Sequence, residues 1–94
     1  MKPRYGGHER ISAKTRLAGE LQILGRIIVR ARESAGLRQA EVAARIGFPA
    51  SYLSKVENGT RRVDPIELVR IAEAIEVDPA ELMRQLQREM SEST

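Results

Sequence analysis

Apolar side chains recur at steps of three and four in five stretches of this chain, and each stretch predicts a helix. From about Glu20 to Ala35 the stripe is Leu21, Leu24, Ile28, Ala31 and Ala35, stopped by Gly36. A second, shorter helix runs from Gln39 to about Ile46 on Val42, Ala43 and Ile46. Gly47 follows it, a residue that accepts the left-handed backbone a helix end often needs. Pro49 suits a first helical position and opens a third helix that runs to Glu57 and closes at Asn58-Gly59. Asp64-Pro65-Ile66-Glu67 reads as a capping box launching a fourth helix with Leu68, Ile71, Ala72 and Ile75 inward. Asp78-Pro79-Ala80-Glu81 repeats the device and starts a fifth, carrying Leu82, Met83, Leu86 and Met90, before a polar, frayed tail. Residues 1–19 show no sustained periodicity. The resulting division is a basic N-terminal arm over residues 1–20, a helical domain over 21–77, and a C-terminal helix and tail over 78–94.

The stretch Gln39–Gly59 organises the rest, as two short helices joined by a tight turn with the second turned outward. At about 100° per residue, Leu53, Val56 and Glu57 fall on one side of the third helix. Ser51, Lys55 and Asn58 fall opposite, with Tyr52 and Ser54 on the flanks. An open face of small polar side chains and one cation fits the major groove of duplex DNA. Nothing bulky at Ala50 or Ser51 holds such a helix away, and Lys55 can reach a guanine acceptor or a phosphate. An ordinary amphipathic helix with a solvated face is the plainer reading of the same wheel.

Residues from about Leu24 to Leu82 resemble the Xre-type helix-turn-helix regulators, the group with the phage lambda repressor-like fold. The residues that carry the likeness are Arg32, Gly36-Leu37, Gln39, Val42-Ala43, Ile46-Gly47, Ser51 through Lys55, Glu57-Asn58-Gly59, and Leu68 through Ile75. The resemblance implies an all-α, compact five-helix DNA-binding domain in which the second and third helices form the helix-turn-helix. It also implies that Gln39 binds a phosphate, aided by backbone donors at its helix N-terminus. Ala50, Ser51, Tyr52 and Lys55 would take the base-reading and backbone-touching positions, and Asn58 a phosphate position. Arg32 and Glu57 occupy positions that commonly form an ion pair tying the first helix to the third. An inward glutamate needs such a cationic partner, and the pair would fix orientation more than supply net stability.

The chain departs from the family pattern at two positions. Arg38 stands where a serine or threonine usually caps the second helix. It cannot accept the capping bond, whose loss costs about 0.5–2 kcal/mol, but it can contribute a phosphate contact. Ala50 stands where many members carry a glutamine or arginine that grips a base, which leaves more of the readout to Ser51, Tyr52 and Lys55.

Composition narrows the remaining options. The 94 residues suit one small domain, and 41% hydrophobic with 3% aromatic residues implies a core of Leu, Ile, Val and Ala. Without cysteine there is no disulfide framework and no thiolate metal site, and the lone His8 does not make one. No apolar run approaches a membrane span or the core of a signal peptide, so the expectation is a cytoplasmic protein with no membrane partner. No glycine-rich phosphate loop, HExxH or nucleophile–base pair is present, so neither an enzyme nor a cofactor is expected.

Charge is polarised along the chain: net +3 over residues 1–20, +2 over 21–77 and −2 over 78–94. Basic character thus sits in the arm and around the candidate site, at Arg38, Arg45, Lys55, Arg61 and Arg62, where it would orient the domain on a polyanion. Arg61 and Arg62, in the loop after the third helix, would flank the groove and bind phosphates.

Met83 or Met90 would reach outward to a twin subunit while Leu82 or Leu86 packs inward, giving a homodimer on a pseudo-palindromic operator. Two function classes stand. One is a sequence-specific, double-stranded-DNA-binding transcriptional regulator. The other is a protein-interaction module, such as an antitoxin or partner-binding subunit, that keeps the fold with weak base readout.

Overall fold

The computed structural model describes residues 12–93. The expected arm lies mainly outside them, His8 included, and its last eight residues, 13–20, are helix instead. Five helices make up the described residues: α1 Ala13–Ser34, α2 Gln39–Ile46, α3 Ala50–Glu57, α4 Pro65–Ile75 and α5 Pro79–Glu92. The first begins seven residues before the periodic stripe because Ser12 caps it, its hydroxyl accepting from the Thr15 backbone N–H at 3.1 Å. Gly19 and the exposed Lys14 and Arg16 hide that start from any apolar pattern.

One core unites the helices, with Ile27, Ile28, Val42, Leu53, Val56, Ile71 and Ile75 almost fully enclosed. The second and third helices pack on each other; α1 crosses α3 and α5, and α4 closes against α2 and α5. Because α1 is covered by two neighbours, its buried arc is wider than one stripe. Ile23, Leu24, Ile27 and Ile28 are buried, while Leu21 is half-buried and Ala35 exposed.

The crossing of α1 over the end of α3 is a close one. A Cβ added at Gly25 would lie 2.3 Å from the Glu57 carbonyl oxygen and 2.9 Å from that of Val56. Gly59, left-handed at φ 77°, meets the same helix a turn away, where a Cβ would come within 2.9 Å of the Gln22 Cα. Backbone lies against backbone at both points, so neither glycine has a substitute that leaves the helices where they are.

The ends of the remaining helices follow local chemistry. Pro49, φ −67° and ψ 154°, is the cap of α3 and not its first residue, since its backbone is extended. Between α2 and α3, Gly47 takes the left-handed conformation and the Phe48 N–H donates back to the Ala43 carbonyl at 2.9 Å, closing a Schellman turn.

Asp64 and Glu67 form the expected reciprocal box at α4, at 2.8 and 3.1 Å. At α5 only half of it forms: Asp78 accepts from the Ala80 N–H, and Glu81 pairs with Arg84 instead. α4 stops at Glu76, a non-glycine residue at φ 68°, a position that costs on the order of 1 kcal/mol.

Gly25→Ala should lower stability by at least about 1–3 kcal/mol, because backbone atoms must move to admit the methyl group. Gly19→Ala, with nothing within 4 Å of its added Cβ, should instead stabilise α1 by up to ~1 kcal/mol. Thermal unfolding of the two single variants beside the parent checks both signs.

Candidate nucleic-acid interface

The α2–turn–α3 unit presents one side of α3 to solvent. Leu53, Val56 and Glu57 face inward, with the Glu57 side chain only 5% exposed, while Ala50, Ser51, Lys55 and Asn58 are exposed and Ser54 is half-buried. That outward face is open among the described residues. Neither Lys55 nor Arg62 makes an ion pair within them, which leaves both cations available to an anionic partner.

Glu57 is the group that orients this face. Its carboxylate accepts from Arg32 Nε at 2.7 Å and Arg32 Nη2 at 3.0 Å, a bidentate pair between α1 and α3. The same guanidinium donates through Nη1 to the Leu37 carbonyl at 2.9 Å, holding the α1–α2 connection. The Glu57 hydrogen bonds hold the Arg32 pKa above its ordinary value.

Gln39 completes the arrangement, donating from Nε2 to Glu57 Oε1 at 2.7 Å. Sequence reasoning missed this third member. The wheel placed Glu57 inward but could not show that the start of α2 lies beside the end of α3. The amide nitrogen of Gln39 keeps a second hydrogen for an outside acceptor, in a side chain whose orientation is already set.

Arg38 supplies no cap from its side chain, which has no acceptor. Glu41 reaches back to accept from the Arg38 N–H at 2.7 Å, so half of a capping box forms and the start of α2 is satisfied. That bond, ahead of the neighbouring charges, lowers the Glu41 pKa. The Arg38 guanidinium is 81% exposed and loosely paired with Glu41 at 3.5 Å.

Three residues that the sequence placed at or around the interface have partners within the protein. Tyr52 is not on an open flank: it is 6% exposed, edge-on to Phe48 at 4.4 Å between centroids, and roofed by the Arg61 guanidinium at 4.5 Å. Among the described residues its hydroxyl is the one buried side-chain polar atom without a partner. Burial, then the Glu67 charge, pushes its pKa up.

Arg61 is not a free flanking arginine but grips Glu67 at 3.0 and 3.2 Å. That grip, together with the Asp64 N–H bond, holds the Glu67 carboxyl below its ordinary range. Arg45 points away from the face and ties α2 to the end of α4, donating to the Ala74 carbonyl at 2.6 Å. The signals for Tyr52 and Arg61 were Phe48 and Glu67, the latter six residues beyond Arg61 and read only as a cap.

The described residues contain no cluster of His, Asp and Glu able to hold a metal ion, and no helix long and apolar enough to cross a membrane. The interface is a surface of open polar groups and cations, not a catalytic constellation.

With this geometry established, the likenesses to known proteins have a definite meaning. Residues 28–82 match the family model described as Helix-turn-helix. The chain belongs to the Xre-type helix-turn-helix family of transcriptional regulators. This family is one of regulators and not of enzymes. It is 40% identical over 62 residues to an "Uncharacterized HTH-type transcriptional regulator y4dJ" of Sinorhizobium fredii, covering 66% of this chain and 80% of that one.

Among solved structures it resembles an XRE-family like protein from Pseudomonas syringae pv. tomato, with 40% identity, TM-score 0.72, and 80% and 92% of the two chains covered. It also resembles the restriction-modification controller protein C.AhdI from Aeromonas hydrophila, with 31% identity, TM-score 0.66, and 69% and 94% coverage. The helix-turn-helix and α4 fall within the region matched by the family model, with the end of α1 and the start of α5.

Glu57→Ala should destabilise the protein by on the order of 3 kcal/mol, since it strands Arg32 and unties Gln39. Urea unfolding of the parent and the variant checks this, and an unchanged midpoint would show that the buried pair does not hold α1 to α3.

Proposed function

We propose that this regulator binds double-stranded DNA sequence-specifically, with the Ala50–Glu57 helix in the major groove. The observation that carries the reading is the exposed row Ala50, Ser51, Lys55 and Asn58 on a helix whose opposite side is locked to α1. Ser51 and Lys55 would read base edges, and Ala50 would permit close approach. Arg38, Arg62, Asn58 and the second amide hydrogen of Gln39 would take phosphates on either side. Tyr52 and Arg61 take no part in direct contact. Base readout is thin, so affinity leans on phosphate contacts and falls steeply with salt.

Selection from a random duplex pool should yield one preferred operator over random DNA at the same salt. Lys55→Ala should then relax preference at a single base position, at a cost of about 1–3 kcal/mol. Arg62→Ala should weaken all sequences alike and reduce the salt slope by about 0.9. A pool that returns no preferred sequence, with a partner protein recovered in the absence of DNA, would support the interaction-module reading instead.

The partner reading is a homodimer on a pseudo-palindromic operator. Leu82 is buried and Leu86 and Met90 pack against the core, which leaves Met83, 51% exposed, as the outward methionine of α5. It borders an apolar groove of about 310 Å³ lined by Leu24, Val63, Leu68, Val69 and Leu86, able to take the same side chain from a second copy. A small single module buries little DNA surface, and pairing doubles it. Sedimentation of the parent should show a dimer and Met83→Glu a monomer, both with and without operator; a monomeric parent under both conditions contradicts the dimer.

A further inference from the structure

The loop from Asn58 to Val63 carries two of the proposed phosphate ligands, Asn58 and Arg62, and no regular secondary structure beyond the end of α3. Its start is fixed by the Thr60 N–H and hydroxyl, both donating to the Lys55 carbonyl at 3.0 and 3.2 Å. Its end is fixed by Val63, packed against the core, and by the Asp64 cap. Between these anchors the side chain of Arg61 does the holding. It lies on the Tyr52 ring, grips both oxygens of Glu67, and donates to the neighbouring Arg62 carbonyl.

Glu67 in turn stands at the first turn of α4, where Oε1 also accepts from the Asp64 N–H at 3.1 Å. The loop is thereby clamped between the inner side of α3 and the head of α4.

We propose that Tyr52, Arg61 and Glu67 form a positioning clamp that presents Asn58 and Arg62 to the DNA backbone. In this arrangement an acidic residue beside a polyanion-binding loop supports binding instead of opposing it. Arg61 acts through Arg62 and Asn58 and makes no phosphate contact of its own, because its planar fork is already occupied by a carboxylate. Lysine, a point charge without the fork, cannot replace it. The inference rests on the DNA-binding reading given above, but its geometric half is testable on the protein alone.

Glu67→Gln separates the clamp from plain electrostatics. Glutamine still serves the α4 capping box, and it removes one negative charge. Electrostatics alone therefore predict tighter DNA binding, whereas the clamp predicts weaker binding. The expected result is a loss of about 3–10-fold in operator affinity for Glu67→Gln and a similar loss for Arg61→Lys. The double variant should lose little more than either single one. In both single variants the salt slope should stay within a few tenths of the parent, since no phosphate contact has been removed.

In the DNA-free protein, the Arg61 Nη–H groups, which donate to Glu67 at 3.0 and 3.2 Å, should exchange slowly in the parent and fast in Glu67→Gln, with the melting profile still cooperative. Unchanged or tighter binding by Glu67→Gln overturns the clamp. So does an Arg61→Gln variant whose lost affinity comes with a drop of ~0.9 in salt slope, which would make Arg61 a phosphate ligand. Failure of the parent to prefer any operator strikes the DNA-binding reading, while fast-exchanging Arg61 Nη–H groups in the parent strike the clamp itself.

Discussion

A glutamate turned inward at the end of α3 is the constraint on which the other features depend. Taken alone, a carboxylate 5% exposed in so small a core would be costly. Here it is met from two directions, by the fork of Arg32 on α1 and the amide of Gln39 at the head of α2, while Gly25 lets α1 come close to the backbone carbonyl of the same glutamate. Such a network does little for net stability compared with an apolar replacement of the same shape. Its contribution is orientation. The rotation of α3 about its own axis is fixed by Glu57, and with it the direction in which Ser51 and Lys55 point.

That coupling explains how one short helix can hold an outward face in a fixed direction. Eight residues do not hold a helix in water, so α3 is helical because it is packed. Leu53 and Val56 supply the packing, Glu57 supplies the angle, and Gly47 with the Phe48 N–H returns the chain sharply enough to place α2 beside it. Arg32, through the Leu37 carbonyl, fixes the entry into α2 with the same guanidinium that fixes α3. The two helices of the motif are thus set relative to α1 by a single side chain.

Much of this was legible in the amino-acid pattern, and the exceptions have physical causes. Helix number, the inward set Leu53, Val56 and Glu57, and the Asp64–Glu67 box follow from periodicity and cap chemistry, which are local. The start of α1 was not legible, because residues 13–20 form helix on a serine cap without an apolar stripe.

Tyr52 was misplaced for a different reason. It sits about 40° from Val56 on the wheel, at an edge whose exposure depends on what folds over it, and here Phe48 and Arg61 do. The pairing of Arg61 was missed with it, since a loop arginine looks free until its carboxylate on the next helix is known. Gly25 gave no signal because a glycine inside a helix reads as a weakness, and only the tertiary crossing shows why nothing larger fits. These misses share one origin: each residue is defined by a contact that the periodicity of its own helix or loop does not show.

On the proposed reading the open side of α3 meets base edges from the major groove, and guanine N7 is the acceptor that lies there. Interference by methylation at N7, mapped on the selected operator, tests it most directly. A methyl group at one or two guanines within each half-site should abolish binding, and the parent and Lys55→Ala should differ at one of them. Binding that tolerates N7 methylation throughout the operator, while methylation at adenine N3 in the minor groove blocks it, would contradict the account.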